Sequence, residues 1–329
     1  MQNGMTRRGL LHGAVAATGL LAMPGVLRAA AWPAKPLTIV LGFPPGGGSD
    51  NYVRVLAPFL SEVIGQQVLV ENRPGANGTI ATRYVKNAAP DGYTMLFNTS
   101  SSMAAGPYTM KDLDFNPIED LKHVSLGVLS HYVLIANNDL PANSWPELVE
   151  LAKAQPGKLV HACVGVGSVN EFIVDQLCLL AGIEVNTVIY PGGGPAMTDI
   201  LANQAQLMTS SIGQAESFLA QKQVKGILIA APERAPQLPD IPASAEYGLT
   251  GVDQMAFWMG ASVPKGTPDN VIEALSKALH AAHQKPLLVE KLQTMGLTPV
   301  AGTPAEFEAR LRADYALYGE VFAAKPKRS

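Results

Sequence analysis

Two glycine-rich turns are the segments of this chain best suited to do chemistry. One reads Gly46-Gly47-Gly48-Ser49-Asp50; the other, in the second half of the chain, reads Gly165-Val166-Gly167-Ser168-Val169-Asn170. Each follows an apolar run that reads as a strand and opens a run of helical periodicity. Such a turn presents amides that have no partner within the helix, at the positive end of the helix dipole, and therefore suits an anion. Taken singly, either turn is also what any tight strand-to-helix connection needs. Its recurrence in both halves favours two lobes that face one ligand. Neither is a nucleotide site: the first lacks the Gly-Lys-Ser/Thr ending of a P-loop, and the second lacks the third glycine of a dinucleotide fingerprint.

Catalytic patterns are missing from the sequence. There is no G-x-S-x-G, H-E-x-x-H or C-x-x-C, the spacings that acyl transfer, zinc hydrolysis and thiol redox chemistry use. His280 and His283 share a helix face and read as a solvated pair, while His123, His131 and His161 are scattered and read as structural. Asp50 could serve as a general base, but its type and position equally suit a helix N-cap. A binding protein is expected, with no catalytic residue, metal or cofactor; a hydrolase-like enzyme is the rival class.

The amino terminus sets the compartment. Arg7 and Arg8 precede an apolar run at 10–27, which His12, Thr18 and Pro24 interrupt, and Ala29-Ala30-Ala31 follows. The run falls short of the roughly 20 clean residues of a membrane span, and the order is that of a secretory signal cleaved near Ala31. Thr6-Arg7-Arg8-Gly9-Leu10-Leu11 fits a twin-arginine signal, and an ordinary Sec signal carrying two arginines remains open. No cysteine lies there to anchor a lipid. Cleavage removes three arginines and no acid, taking the formal charge from −3 to −6. A mildly acidic periplasmic monomer is expected, with no footprint for nucleic acid and no membrane insertion.

The elements that must position the two turns alternate. Residues 37–42, 67–70, 94–97 and 159–164 read as strands, while 76–87, 169–181 and the stretch carrying Val53, Leu56, Ala57, Leu60, Val63 and Ile64 read as helices. Ser144 with Glu147 and Thr303 with Glu306 fit capping boxes, and Pro268 and Pro304 fit first helical positions. The alternation implies α/β layers with a mostly parallel sheet, and a mature length near 300 residues implies about two domains. Cys163 falls in the 159–164 strand and Cys178 roughly 13 Å down the returning helix, too far apart for a disulfide.

Longer motifs carry a resemblance. Trp32-Pro33-Ala34-Lys35-Pro36-Leu37, Phe43-Pro44-Pro45-Gly46-Gly47-Gly48-Ser49-Asp50, Val70-Glu71-Asn72-Arg73-Pro74-Gly75-Ala76-Asn77-Gly78 and Ala89-Pro90-Asp91-Gly92-Tyr93-Thr94 occur in order. They are followed by Tyr190-Pro191-Gly192-Gly193-Gly194-Pro195-Ala196, Pro239-Asp240-Ile241-Pro242 and Pro264-Lys265-Gly266-Thr267-Pro268. Across the whole mature chain this resembles the Bug family, the extracytoplasmic receptors of tripartite tricarboxylate transporters.

The resemblance implies a type II periplasmic-binding-protein fold with the ligand cleft between two α/β lobes. Lobe one would combine 32–127 with 256–329, and lobe two would hold 128–255. It implies capture of a small carboxylate, largely by backbone amides, and delivery to membrane permease subunits. Carried over, the site is Pro45, Gly46, Gly47, Gly48, Ser49 and Asp50 with Ser100 and Ser101 in lobe one. In lobe two it is Gly165, Gly167, Ser168, Asn170, Tyr190, Gly193, Ser211 and Gln214. Asn170 replaces a common His, Glu171 an apolar residue or His, and Pro191 a basic residue. Without that cation a mono- or dicarboxylate, aromatic and amino acids included, is favoured over a tricarboxylate. The same fold could instead present its liganded form to a membrane sensor kinase.

Overall fold

The structure is a computed structural model that describes residues 32–110 and 113–324. The export signal read at 1–31 lies outside the described residues. From Lys35 onward the chain opens with β1 (Leu37–Leu41), in which Leu37, Ile39, Val40 and Leu41 have no exposed surface. That is the pattern of a strand covered on both faces. Helix α1 (Gly48–Ile64) buries Tyr52, Val53, Leu56, Ala57 and Leu60 at helical spacing. It stops at Gly65, whose φ of 67° gives the left-handed cap that glycine favours.

The unit repeats through β2 (Val68–Asn72), α2 (Thr79–Lys86) and β3 (Thr94–Thr99). A single π turn (Ser101–Ala105) leads into the short α3 (Gly106–Thr109), and β4 (Leu121–Ser130) follows. A second set comprises β5 (Tyr132–Asn137), α4 (Trp145–Ala154), β6 (Val160–Val164), α5 (Val169–Ala181), β7 (Asn186–Tyr190), α6 (Gly193–Leu201), β8 (Leu207–Ser211), α7 (Ile212–Ala220) and β9 (Val224–Ala230). The chain then returns through β10 (Phe257–Pro264), α8 (Asp269–His283), α9 (Pro286–Thr294), β11 (Thr298–Pro299) and α10 (Pro304–Ala324).

These strands form two sheets, ordered β11-β4-β10-β3-β1-β2 and β7-β6-β8-β5-β9. Strands β1, β2 and β3 are parallel, as are β6, β7 and β8. Both sheets are nevertheless mixed, because β10 runs against β3 and β4, and β5 runs against β8 and β9. The cause is topological. A chain crossing between sheets arrives at the edge where the parallel strands finish and must run back.

Only His131 separates β4 from β5, and β4 is still paired, Ser130 to Phe257, at its last residue. Tyr132 at the start of β5 lies opposite Ser211 at the end of β8 and Ala230 at the end of β9. The carboxyl ends of both parallel sets are thereby turned toward each other, where ligands bind in open α/β sheets. This is a two-lobed α/β fold.

Helix α10 serves both lobes. Phe307 packs edge-on against Trp258 of the first sheet (centroids 5.2 Å apart), and Tyr318 packs edge-on against Phe172 of α5 (5.0 Å). One apolar cluster consequently runs from Val40 and Leu96 through Trp258, Leu311 and Tyr318 to Phe172 and Leu177. A second, holding Ile135, Met208, Ile212 and Ile229, covers the other face of the second sheet.

Local departures from the sequence reading have local causes. The helix expected from 76 begins at Thr79, because Asn77 (φ 50°) and Gly78 (φ 88°) are left-handed. Strand β3 continues into the polar run, where the buried Asn98 amide donates to Ser262 Oγ at 2.9 Å. Thr303 and Glu306 form the expected capping box. Ser144 does not cap; instead Glu147 accepts from the Asn143 amide at 2.8 Å. Pro268 is an N-cap rather than the first helical residue. His283 is buried rather than solvated: its Nδ1 donates to Leu279 O, and its Nε2 accepts from Tyr52 at 2.9 Å.

Candidate ligand-binding cleft

The lobe-one turn is built around a carboxylate. Gly46, at φ 80°, needs glycine, and Gly47 rather than Asp50 is the N-cap of α1. Asp50 lies in the first helical turn, nearly buried, with both oxygens occupied. Oδ2 accepts from the Gly46 amide at 2.9 Å and from Arg54 Nε at 2.8 Å, while Oδ1 accepts from Asn72 Nδ2 at 2.8 Å. Burial raises its pKa, but the bonds from Arg54, Gly46 and Asn72 outweigh that effect and hold it at about 2. Asp50 is thus an ionised staple of its own turn. Asn72 and Arg54, which the sequence reading left without a role, complete the network: Asn72 also donates to Phe43 O and accepts from Arg54.

What this leaves exposed is backbone. Pro45, Gly46, Gly47 and Gly48 are exposed, whereas Ser49 is buried. The Gly47 amide donates to Pro44 O at 3.4 Å. As first residues of α1, Gly48, Ser49 and Asp50 have amides with no acceptor inside the helix.

The lobe-two turn uses the same device. Gly165 (φ 82°) and Gly167 (φ 65°) are left-handed, and Ser168 is the N-cap of α5. The Gly167 amide donates to Glu171 Oε2 at 2.8 Å, while the Glu171 amide donates to Ser168 Oγ at 3.5 Å. In both turns a carboxylate four residues onward takes the amide of a left-handed glycine. Gly167 is thereby removed as an amide donor to a ligand, and the first amides of α5 remain. Asn170 ties α5 to β8: its Nδ2 donates to Thr209 O at 2.9 Å, and Thr209 Oγ1 donates back to Asn170 O at 3.2 Å. His161 bonds Thr209 Oγ1 at 2.9 Å from a fully buried position, and burial lowers its pKa to about 3.

The other anticipated residues divide into two groups. Ser100 is fully buried and its Oγ accepts from the Trp258 amide at 3.3 Å, while Trp258 Nε1 donates to Asp314 at 2.6 Å. Tyr190 spends its hydroxyl on Asp199 at 2.6 Å, inside lobe two. Both hydroxyls are thus engaged within the fold. Ser101 is half-buried and its carbonyl accepts from Asn77 Nδ2. Gly193, Gln214 and Ser211 gather at the starts of α6 and α7. A Cβ on Gly193 would stand 3.3 Å from Gln214 Nε2, and Ser210 Oγ donates to Gln214 Oε1 at 3.5 Å. Ser211 is the N-cap of α7.

One contact spans the lobes beside the second turn. A Cβ on Gly167 would lie 2.8 Å from Thr109 Cβ and Cγ2. Thr109 was missed by sequence reasoning, since a lone threonine in a connection carries no signal; only the fold brings it there. Helices α1, α5, α6 and α7 all begin at the carboxyl ends of strands β1, β6, β7 and β8. None of the anticipated site residues is a lysine or arginine.

The family model described as the tripartite tricarboxylate transporter family receptor matches residues 52–317. The chain belongs to that family. It is a solute-binding receptor and not an enzyme. Protein BugT of Bordetella pertussis is 32% identical over 301 residues, 91% of each chain. Among solved structures, MatC from Rhodopseudomonas palustris with bound malate is 28% identical with a TM-score of 0.75, covering 88% of this receptor and 99% of that chain. Rpa4515 of R. palustris with adipate is 26% identical with a TM-score of 0.77, covering 88% and 97%. No helix among the described residues is long and apolar enough to cross a membrane.

Proposed function

We propose that this receptor captures a small mono- or dicarboxylate in the periplasm and delivers it to the permease subunits of a tripartite tricarboxylate-type transporter. The observation that supports this reading is that four helices, α1, α5, α6 and α7, begin at the carboxyl ends of strands from the two parallel sets, with no cation among the anticipated site residues. Helix-terminal amides and aligned dipoles attract an anion without a formal positive charge. Each charge-assisted bond from an amide is worth about 1.5–3 kcal/mol, so a few amides suffice for capture. The carboxylates that could repel the ligand are turned back on their own turns, Asp50 onto Gly46 and Arg54, Glu171 onto Gly167.

Size and charge narrow the class. The four-carbon and six-carbon diacids held by MatC and Rpa4515 are the reference ligands, and the Pro191 position supplies no cation for a third carboxylate. The test is a thermal-shift series with malate, adipate, and aromatic and amino monocarboxylates, against sugars and neutral amides, followed by calorimetry. An acid at a hundred times its dissociation constant adds about 2.7 kcal/mol to native stability. If only neutral compounds raise the melting temperature, the reading fails.

A further inference from the structure

The two lobes touch backbone to backbone at one pair of glycines. Gly213 is the second residue of α7 in lobe two, and Gly296 lies between α9 and β11 in lobe one. A Cβ on Gly213 would stand 2.7 Å from Met295 O, 2.8 Å from Gly296 Cα and 3.0 Å from Gly296 N. Conversely, a Cβ on Gly296 would stand 2.6 Å from the Gly213 nitrogen. These neighbours are main chain, so no rotamer change relieves the overlap. A cavity of about 230 Å³, lined from both lobes by His131, Ile212, Arg234, Gly296 and Thr298 among others, opens beside the contact.

Local structure explains only one of the pair. Gly296 has φ 69°, which calls for glycine whatever its neighbours. Gly213 is helical, and there alanine is the better helix former. Its missing side chain therefore has its reason across the lobe boundary. The position is also mechanically apt: the preceding residue, Ile212, donates its amide to His131 O, the single residue joining β4 to β5. The Gly167–Thr109 contact lies in another layer, because α3 packs with α10 whereas α9 packs with α1 and α8.

We propose that Gly213 is a positioning residue for ligand capture, its bare Cα setting how closely the two lobes approach. The proposal rests on the carboxylate-trap reading for its binding consequence, but not for its geometry. A β-carbon there would hold the lobes apart at the joint, and a small gap at a joint becomes a larger one across the cleft. Donors in one lobe would then fall out of reach of an acid seated on the other.

The test compares G213A with the parent in three measurements: ligand-free melting temperature, affinity for malate and adipate by calorimetry, and radius of gyration by solution scattering with and without those acids. The expected result is a cooperative but lowered melting transition, an affinity reduced by about tenfold or more, and a larger radius of gyration than the parent's. Equal affinity and equal radius in parent and variant would overturn the proposal. If neither protein binds either acid, the carboxylate reading is what fails. The ligand-free radii then decide Gly213 on their own, a larger value for G213A supporting the contact and an equal value overturning it.

Discussion

Asp50→Asn is the substitution whose outcome the structure specifies most tightly. Helix capping alone makes it mild, since Asn caps about as well as Asp, and that is what the sequence suggests. The hydrogen bonds say otherwise. Every neighbour of the carboxylate is a donor: the Gly46 amide and Arg54 at Oδ2, Asn72 Nδ2 at Oδ1. An asparagine must turn its NH₂ toward one of those sets. Flipping Asn72 gives no relief, because its Nδ2 also serves Phe43 O and its Oδ1 serves Arg54.

Losing a charge-assisted bond costs about 1.5–3 kcal/mol. Linkage gives a similar figure. The folded pKa of about 2, against an ordinary aspartate value of 3.8, corresponds to about 2.5 kcal/mol, or about 1–2 kcal/mol once allowance is made for solvent screening of Arg54, whose side chain is 50% exposed. A carboxyl with a depressed folded pKa stabilises the fold above its unfolded value and loses that contribution as pH falls through its folded value. Urea unfolding at neutral pH should therefore place Asp50→Asn about 2 kcal/mol below the parent. The gap should narrow between pH 3.8 and 2, as the parent's carboxyl gains a proton and becomes a donor as well. A variant as stable as the parent at neutral pH, or a gap that does not change with acid, would refute the account.

Gly48→Ala should fold like the parent, since a Cβ there meets nothing within 4 Å, yet bind malate or adipate about tenfold more weakly if an acid oxygen rests on that amide; calorimetry beside a melting curve separates the two effects. Gly167→Ala combines a left-handed φ of 65° with overlap on Thr109, so it should lose about 1–2 kcal/mol of stability and also bind less tightly. Thr109→Gly in the same chain should return part of the affinity, and a double-mutant cycle measures how much. The buried His123 and His161, which burial holds near pKa 4 and 3, stay neutral in the fold while the unfolded chain takes up protons below the ordinary histidine value of about 6.5. Stability should therefore fall by up to about 1.4 kcal/mol per pH unit for each as pH drops from 6.5 toward those values. Replacing His123 with Gln should flatten the slope measured by urea titration, and an unchanged slope would count against this assignment.

Much of the architecture was legible because it rests on local pattern. The strand-turn-helix repeats follow from unbroken apolar runs such as 37–41 and from periodic residues such as Val53, Leu56 and Leu60. The glycine turns were legible as turns, because positive φ at Gly46, Gly165 and Gly167 is a local demand. Their internal chemistry was not. Asp50 looks like a cap until Asn72, arriving on a different strand, claims one of its oxygens. Gly167 looks like a ligand donor until Glu171 takes its amide. Thr109, Gly213 and Gly296 acquire meaning only from the meeting of lobes, which no spacing along the chain encodes. The antiparallel entries of β5 and β10 likewise depend on where the chain crosses, and local periodicity does not carry direction.

The place of β10 in the first sheet has a consequence for the order of assembly during synthesis. It sits between β4 and β3, yet it is made after the whole of the second sheet. Until residues 257–264 emerge, the amino-terminal part of the first sheet exists as β3-β1-β2 with an open edge on β3, and β4 has no strand beside it. The second sheet, contiguous from 132 to 230, suffers no such delay. It can mature while the first waits with unpaired edges, the condition in which strands are prone to wrong partners. Chains truncated before residue 257 should accordingly keep protease-resistant fragments from the second lobe and lose those from the first.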